Sequence, residues 1–156
     1  PHMHTIVLSE LKLKEGEKVL EVGSGSGILS AYIRELVGKK GKVVGIEFNK
    51  ETYNFGKKNL KRAGYSDIII VNADGSVGYQ KFAPYDKIVI SAAAPDIPNP
   101  LIEQLKTNGI MLAVVGSSYY QTLMKIRKTR SGKLIKKKLL DVVFVPLKGK
   151  YGWEEL

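Results

Sequence analysis

Residues 21–27 read Glu-Val-Gly-Ser-Gly-Ser-Gly and directly follow a short apolar run, Lys18-Val19-Leu20. This order predicts a strand that turns through closely spaced glycines into a helix and brings backbone N–H groups up to a ligand. The next apolar run, residues 42–46, ends at an isolated acid, Glu47. An acid in that position can accept hydrogen bonds from both hydroxyls of a ribose. Together these features predict a site for a nucleotide-like ligand.

The details of the glycine loop narrow the ligand class. A dinucleotide-binding loop has its third glycine three residues after the second, but Ile28 stands at that offset and the glycines fall at 23, 25 and 27. A Gly-Lys-Ser/Thr phosphate loop contains a lysine, whereas this loop has only serines and is preceded by Glu21. Acid-x-Gly-x-Gly-x-Gly is typical of S-adenosylmethionine methyltransferases, whose cofactor has no phosphate and carries a cationic sulfonium. The alternative is a glycine-rich turn that binds nothing, and Glu47 counts against it.

Composition excludes several kinds of site. The 156 residues contain no cysteine, and both histidines, His2 and His4, lie at the start. Disulfides, thiolate catalysis and Cys or His metal clusters are therefore excluded, and we expect no metal. The apolar runs fall short of the roughly 20 residues of a membrane helix, and no signal-peptide pattern is present. We predict one domain over 1–156, in the cytoplasm, without a membrane partner.

The net charge of +10 attracts polyanions non-specifically. The basic residues look scattered along the chain, with the densest cluster at Lys136–Lys138. We interpret this cluster as a solvated face first and a nucleic-acid patch second, and we expect no specific nucleic-acid partner.

Helix and strand patterns alternate along the chain. Strands are predicted at 18–22, 42–47, 68–71, 87–90 and 110–115, and helices at 3–12, 28–37, 50–63 and after Pro98-Asn99-Pro100. The second helix is expected to bury one face formed by Ile28, Leu29, Tyr32, Ile33, Leu36 and Val37. Residues 119–129 and 133–147 resemble strands of an antiparallel edge. The pattern predicts a doubly wound, Rossmann-like α/β domain with an antiparallel carboxyl-terminal edge.

Ligands of such a sheet lie beyond the carboxyl ends of its strands. Asp74-Gly75 follows the third strand and 91–95 follows the fourth. We predict that Asp74 accepts a hydrogen bond from the exocyclic amine of adenine and that Phe48 lies against the ring. The alternative for Asp74-Gly75 is an ordinary turn.

Five segments resemble protein-L-isoaspartate O-methyltransferases, and together they extend over essentially the whole chain. They are Pro1-His2-Met3-His4, the loop 21–27, Asn72-Ala73-Asp74-Gly75-Ser76, Ala92-Ala93-Ala94-Pro95 with Pro98, and Val143-Phe144-Val145-Pro146-Leu147. Many methyltransferases share the glycine loop. The Ala-Ala-Ala-Pro and Phe-Val-Pro-Leu segments are more specific.

The resemblance implies methyl transfer from S-adenosylmethionine to the free carboxylate of isoaspartyl residues in damaged proteins and peptides, by a monomeric repair enzyme. That carboxylate is ionised at pH 7, so no general base is needed, and in-line positioning with exclusion of water would supply the catalysis. Implied cofactor contacts are His4, Glu21, Gly23, Ser24, Gly25, Ser26, Gly27, Glu47, Phe48, Asp74 and Gly75. Implied substrate contacts are Ala92, Ala93, Ala94, Pro95 and Val145.

The chain departs from the family at its start. The family has a Thr-Ile-Ser-type segment, whose serine is assigned to the active site, just before Pro-His-Met, and a helical region before that. This sequence begins at Pro1. We therefore assign no catalytic residue and expect an amino-terminally truncated fragment that binds cofactor but turns over slowly.

Two other functions remain open. A nucleic-acid methyltransferase would fit the positive charge, but enzymes that methylate base amino groups carry an Asp/Asn-Pro-Pro-aromatic segment where this chain has Ser91-Ala-Ala-Ala-Pro95. The other possibility is a non-catalytic fragment that only binds S-adenosylmethionine.

Overall fold

The computed structural model describes residues 2–117, 119–143 and 145–153. Its helices are α1 His2–Leu11, α2 Ile28–Val37, α3 Lys50–Arg62 and α4 Asn99–Gln104. Its strands are β1 Lys18–Val22, β2 Lys42–Glu47, β3 Ile69–Asn72, β4 Tyr85–Ala94, β5 Leu105–Gly116, β6 Gln121–Lys128 and β7 Leu134–Val142. Two short 3-10 helices, Gly75–Val77 and Gln80–Phe82, lie between β3 and β4.

The seven strands form one sheet in the order β3-β2-β1-β4-β5-β6-β7. Strands β1 to β5 pair in parallel, and β6 and β7 add to the β5 edge in antiparallel fashion. The strand order reverses between β1 and β4, which is where open parallel sheets hold their ligands. The predicted doubly wound fold with an antiparallel edge is confirmed.

Each face of the sheet carries its own apolar core. On one face, α1, α2 and α3 pack on the sheet through residues such as Leu11, Ile33 and Leu60. On the other face, α4 contributes Leu101, which packs with Tyr85 and other residues of the sheet. The parallel strands are buried on both sides, which is why β1 and β2 read as continuous apolar runs.

The buried face of α2 is narrower than predicted. Leu29, Ile33 and Val37 are buried, as expected, but Ile28, Tyr32 and Leu36 are each about half exposed. The prediction for these three residues is wrong because a helix that lies on a sheet buries only one stripe at i, i+4 spacing. Ile28, Tyr32 and Leu36 lie at the edge of that stripe, next to solvent.

Strand β4 continues past the predicted end at Ile90, through Ala94. Alanine has low strand propensity, so no local pattern indicates this extension. The last predicted strand is shorter than expected, because β7 ends at Val142, and Pro146 then forms an isolated parallel bridge to Ala93. Phe144 and Pro1, which belong to the quoted family segments, lie outside the described residues.

Basic residues gather on the hairpin formed by β6 and β7. Between Gln104 and Leu140 the sequence has no Asp or Glu, and residues 125–138 alone contain eight Lys or Arg. Pairing of the strands places Lys136–Lys138 beside residues 124–126. The interpretation of the charge as scattered is wrong for this part of the chain, because strand pairing concentrates it on one hairpin.

Candidate functional site

The glycine loop between β1 and α2 is folded tightly by positive φ angles. Gly23, Gly25 and Gly27 have φ of 86°, 54° and 89°, a region that L side chains rarely adopt. The N–H groups of Gly23 and Ser24 donate to the carbonyl of Ile46 at 2.8 and 3.1 Å, and that of Gly27 donates to Ser24 at 3.0 Å. The spacing of the three glycines therefore follows from the loop backbone itself.

Glu47 connects the end of β2 to this loop. Its Oε1 accepts from the Gly25 N–H at 3.0 Å and its Oε2 accepts from the Asn49 N–H at 3.0 Å. Asn49 in turn caps α3, with its side chain accepting from the Thr52 N–H at 2.9 Å. The carboxylate is thus held in one orientation beside the loop, and each oxygen retains acceptor capacity for a further donor.

The loop differs in one respect from the sequence-based expectation. Four of its N–H groups, those of residues 23, 24, 25 and 27, are already bonded within the protein. The expectation that the loop offers bare N–H groups is wrong for these four, because the tight turn directs them inward and toward Glu47. A loop of this kind offers little to a phosphate, and the carboxylate of Glu47 beside it favours a neutral or cationic ligand.

Two adjoining cavities lie on the two sides of the loop. The Glu47 cavity, about 460 Å³, is lined by Glu47, Phe48, Asn49, Gly75 and Lys148, among others. The His4 cavity, about 310 Å³, is lined by Met3, His4, Glu21, Ser26 and Val114, among others. Both share Gly23, Gly25, Ser91 and Val145. The two volumes fall within the roughly 300–1,000 Å³ typical of small-molecule sites.

Glu21 lies under the loop, almost completely buried. Its Oε1 accepts a hydrogen bond from the Ser30 hydroxyl. Burial raises the pKa of Glu21 to about 8, with the charge of Glu47 adding to the rise and the Ser30 bond opposing it. The group is therefore mostly protonated at neutral pH in the ligand-free protein.

His4 and Phe48 border the cleft at its two ends. The His4 ring meets the Tyr32 ring edge to face, with the centroids 6.0 Å apart. Burial lowers the pKa of His4 and so favours its neutral form. The Phe48 side chain is 44% exposed at the Glu47 cavity, so one ring face is available to a flat ligand.

The other predicted site residues are only partly gathered at the cleft. Gly75 lines the Glu47 cavity, but Asp74 lines neither cavity among the described residues and makes its bonds elsewhere. Ala92 and Val145 line the cleft. Ala93 and Ala94 are fully buried within β4 and Pro95 is exposed beyond it; none of these three is among the lining residues described.

Sequence reasoning left several cleft residues without a role, among them Ser91, Asn49 and Lys148. The Ser91 hydroxyl donates to the carbonyls of Gly23 at 2.9 Å and Val22 at 3.2 Å, and so ties β4 to the glycine loop. Asn49 and Lys148 line the Glu47 cavity. Ser91 and Asn49 each follow or end a predicted strand at the ligand edge, which was an available signal, whereas Lys148 reaches the cleft only through the tertiary fold.

Within residues 2–117, 119–143 and 145–153, no group of three or more His, Cys, Asp or Glu side chains is arranged to hold a metal ion. Across the same ranges, none of the helices combines the length and the apolar character needed to cross a bilayer.

Comparison with known proteins adds a family to this geometry. The family model of protein-L-isoaspartate(D-aspartate) O-methyltransferase matches residues 1–152. A protein-L-isoaspartate O-methyltransferase of Methanosarcina mazei is 47% identical over 156 residues, which is all of this chain and 64% of that protein. One from Archaeoglobus fulgidus is 49% identical, again over all of this chain and over 71% of its own length.

Solved structures agree with the sequence relatives. A protein-L-isoaspartate O-methyltransferase superposes with a TM-score of 0.90 at 28% identity, covering 97% of this chain and 48% of the other. A Plasmodium falciparum structure described as a protein of the same kind, in complex with S-adenosyl-L-homocysteine, gives a TM-score of 0.85 at 31% identity, covering 95% and 74%. The chain thus spans between about half and three quarters of the length of these relatives.

Proposed function

The chain belongs to the protein-L-isoaspartate O-methyltransferase family, and from that premise we propose that it methylates the free carboxylate of L-isoaspartyl residues with S-adenosylmethionine. The observation that carries the proposal is the two-part cleft around the glycine loop, with Glu47 fixed at one side and the His4 cavity at the other. A cofactor with a nucleoside at one end and a reactive centre at the other fits such a divided cleft.

The residues present fit S-adenosylmethionine better than a phosphate-bearing nucleotide. Four of the loop N–H groups are already hydrogen-bonded within the protein, and the acids Glu21 and Glu47 border the two cavities. The negative charge of Glu47 would repel a phosphate, and neither acid places a positive charge beside the sulfonium.

We assign the cofactor's parts to the two cavities as follows. Glu47 would accept from the ribose hydroxyls and Phe48 would lie against adenine in the Glu47 cavity, which Gly75 also lines. Glu21, Ser26 and two of the loop glycines, Gly23 and Gly25, would border the remainder of the cofactor on the side of His4. Gly27 packs against Leu60 and is not among the lining residues described, so its contact with the cofactor stays a prediction. Of the contacts predicted from the sequence, Ser24, Ala92 and Val145 have support from the lining of the cleft. Asp74, Ala93, Ala94 and Pro95 stay predictions that the lining does not support.

Bound S-adenosylmethionine supplies an electrophilic methyl group. The protein's part is to hold an ionised carboxylate in line with that methyl group and to keep water away. An isoaspartyl carboxylate is already ionised near pH 7, so the chain needs no base for the attack. Alignment of two bound reactants is worth several kcal/mol of barrier, on the order of 7–11 in the best cases, and the apolar walls contributed by Met3, Val114 and Val145 would exclude water from the second cavity.

The consequence for a damaged protein is repair. A methyl ester next to a peptide N–H closes to a succinimide with loss of methanol, and hydrolysis of the succinimide returns part of the chain to normal aspartate. Those later steps need no residue of this protein.

The experiment that tests this function compares two peptides that differ only in the aspartyl linkage. Labelled S-adenosylmethionine is incubated with the chain and either the isoaspartyl or the aspartyl peptide. We expect base-labile label on the isoaspartyl peptide alone. Equal labelling of both peptides would reject the substrate assignment. Binding of the cofactor without labelling of either peptide would support the alternative, a non-catalytic fragment that only binds S-adenosylmethionine.

For partners and location we propose a monomeric, cytoplasmic protein that acts on isoaspartyl proteins and peptides. The absence of cysteine from the sequence supports a compartment in which disulfides are not used. Nucleic acid is proposed to bind only through charge on the β6–β7 hairpin, whose turn lies at the amino end of the parallel strands, on the opposite edge from the cleft. Methylation of RNA or DNA at defined sites would favour the nucleic-acid methyltransferase instead.

A further inference from the structure

Exposed apolar side chains gather at the carboxyl edge of the sheet, where β5 ends, β6 begins and β7 ends. Tyr119 is 91% exposed, Tyr120 is 63% exposed and Val143 is 83% exposed. Single exposed apolar residues are ordinary on a protein surface, whereas a contiguous group of them marks a site of interaction. We call these three residues the apolar shelf.

Strand pairing brings the members of the apolar shelf together. Gln121, the first residue of β6, pairs with Gly116 of β5 on one side and with Val142 of β7 on the other. Tyr120 and Val143 are the next residues outward from this row, so they adjoin each other beyond the ends of the strands. The shelf therefore occupies one defined place on the carboxyl edge.

The turn that carries the two tyrosines is held by its own hydrogen bonds. The Ser117 Oγ accepts from the N–H of Tyr119 at 3.3 Å and from the N–H of Tyr120 at 2.9 Å. The Tyr120 phenol donates to the Asp141 carboxylate, and this bond raises the pKa of Tyr120. A Cβ at Gly116 would overlap the Tyr120 carbonyl oxygen, so the turn lies close against the end of β5. A surface held in this way loses little conformational entropy when a ligand binds to it.

Val145 joins the apolar shelf to the cleft. It lies two residues beyond Val143, lines both the Glu47 cavity and the His4 cavity, and is 73% exposed. Its carbonyl accepts from the Ala93 N–H at 2.8 Å, which places it beside the end of β4. An apolar surface thus continues from the cleft to the shelf.

The separation between cleft and shelf corresponds to a few residues of an extended peptide. Strands β4 and β6 lie on either side of β5. Neighbouring strands are about 4.8 Å apart, so the shelf lies roughly 10 Å from the end of β4. An extended chain spans about 3.3–3.6 Å per residue. A side chain about three residues from the isoaspartyl residue would therefore reach the shelf.

Charge is unevenly distributed along the β6–β7 hairpin. Residues 116–124 and 142–147 contain no charged side chain, whereas residues 125–138 contain eight Lys or Arg. The end of the hairpin beside the cleft is thus uncharged, and its cations lie toward the other end. Because burial of a charged group without a partner is costly, such a surface favours an apolar neighbour over an acidic or basic one.

We propose that the apolar shelf binds the substrate segment beside the isoaspartyl residue and selects segments with an aromatic or large aliphatic side chain about three residues away. The inference rests on the proposed function, because it assumes that an isoaspartyl peptide enters the cleft. It assigns a determinant of substrate specificity to residues that lie outside the cofactor site.

The test uses fluorescently labelled isoaspartyl peptides of one length that carry Phe three residues before the isoaspartyl residue, Phe three residues after it, or Ser at both places. Each peptide has an aspartyl counterpart. Binding is measured by anisotropy with S-adenosylhomocysteine present, and methyl transfer is measured with S-adenosylmethionine.

The variants are Tyr119→Ser and Val143→Ser, each of which replaces a side chain more than four-fifths exposed, so both should fold. Phe55→Ala is the matched control, because Phe55 is an exposed aromatic residue on α3 that is not among the cleft residues described.

We expect the wild-type chain to bind at least one Phe-containing isoaspartyl peptide about tenfold more tightly than the Ser peptide, as partial burial of one aromatic ring implies. Tyr119→Ser and Val143→Ser should each reduce this preference to about threefold or less and leave the affinity for the Ser peptide unchanged. Phe55→Ala should keep the full preference. In methyl transfer the preference should appear in KM and not in kcat, because the shelf contacts a part of the substrate away from the reacting atoms.

Equal binding of the Phe and Ser peptides by the wild-type chain overturns the proposal, and so does a preference that both shelf variants retain. The proposed function is tested separately, by the comparison of isoaspartyl with aspartyl peptides. Methyl transfer to isoaspartyl peptides alone, without a preference for Phe, would support the function and reject the shelf. A preference for Phe that the shelf variants lose, without any methyl transfer, would support the shelf as a peptide site and reject the function.

Discussion

Replacement of Glu21 by glutamine should stabilise the ligand-free protein at neutral and alkaline pH. Glu21 is 2% exposed and its one described partner is the Ser30 hydroxyl. Burial raises its pKa from 4.5 to about 8. Between these two pH values the unfolded chain carries an ionised Glu21, while the folded chain carries a protonated one, so folding takes up a proton.

The sign and size follow from proton linkage. Where the folded state binds one proton more than the unfolded state, the free energy of unfolding falls by about 1.4 kcal/mol for each unit of rising pH. The contribution of Glu21 is thus most favourable below pH 4.5 and is lost progressively up to about pH 8. From pH 5 to 7.5 this amounts to a loss on the order of 3 kcal/mol. Glutamine is neutral throughout and avoids that loss.

The assay is urea unfolding of wild type and Glu21→Gln at half-unit steps from pH 5 to 8.5, without cofactor. We expect similar stability near pH 5 and a growing advantage of the variant above it. Glu51→Gln, at an exposed position in the first turn of α3, is the control and should follow the wild-type profile in shape. Parallel profiles for wild type and Glu21→Gln would show that Glu21 ionises normally in the folded protein and would refute the reasoning.

Three further outcomes are expected. Glu47→Ala should lower the affinity for S-adenosylmethionine about a hundredfold or more, since two charge-assisted bonds of roughly 1.5–3 kcal/mol each are lost. Glu51→Ala should leave this affinity unchanged. Equal affinities of wild type and Glu47→Ala in calorimetry would show that Glu47 does not bind the cofactor. Ile33→Ala should reduce the free energy of unfolding by about 2–5 kcal/mol and Leu36→Ala by far less, as urea titration can show; equal losses would contradict the narrow buried face of α2. Replacement of Lys136–Lys138 by glutamate should weaken salt-sensitive, sequence-independent binding of single-stranded DNA, as measured by fluorescence anisotropy. The control replaces three exposed lysines elsewhere, Lys39, Lys40 and Lys58, by glutamate. Equal weakening of DNA binding by both triple variants would mean that only the net charge matters.

The parts of the site that could be predicted from the sequence are those that depend on local backbone conformation and on position at the end of a strand. Three glycines at alternating positions are needed where φ is positive at each of them. An acid that ends a parallel strand beside that loop faces the same edge, so Glu47 could be placed without coordinates. The fold followed from the alternation of apolar runs and amphipathic stretches in the same way.

The parts that escaped prediction depend on distant residues. The hydrogen bond from the Lys150 N–H to Asp74 joins residues 76 positions apart, and no local sequence pattern predicts it. The burial of Glu21, and hence its raised pKa, depends on how α2 packs over β1. The predicted fourth strand stops at Ile90, before Ala92–Ala94, because strand membership there is decided by the pairing of Ala94 with Val115 and of Ala93 with Pro146, not by propensity.

The measurement that tests the central claim most directly is the conversion of an isoaspartyl peptide during prolonged incubation with the chain and S-adenosylmethionine, followed by chromatography and mass spectrometry. We predict a methyl ester that appears first, a succinimide that follows it, and an aspartyl peptide that accumulates in proportion to S-adenosylhomocysteine released. Omission of the cofactor should leave the isoaspartyl peptide unchanged. Formation of S-adenosylhomocysteine with a base-stable methyl group on the peptide, or with no gain of aspartyl product, would contradict the account.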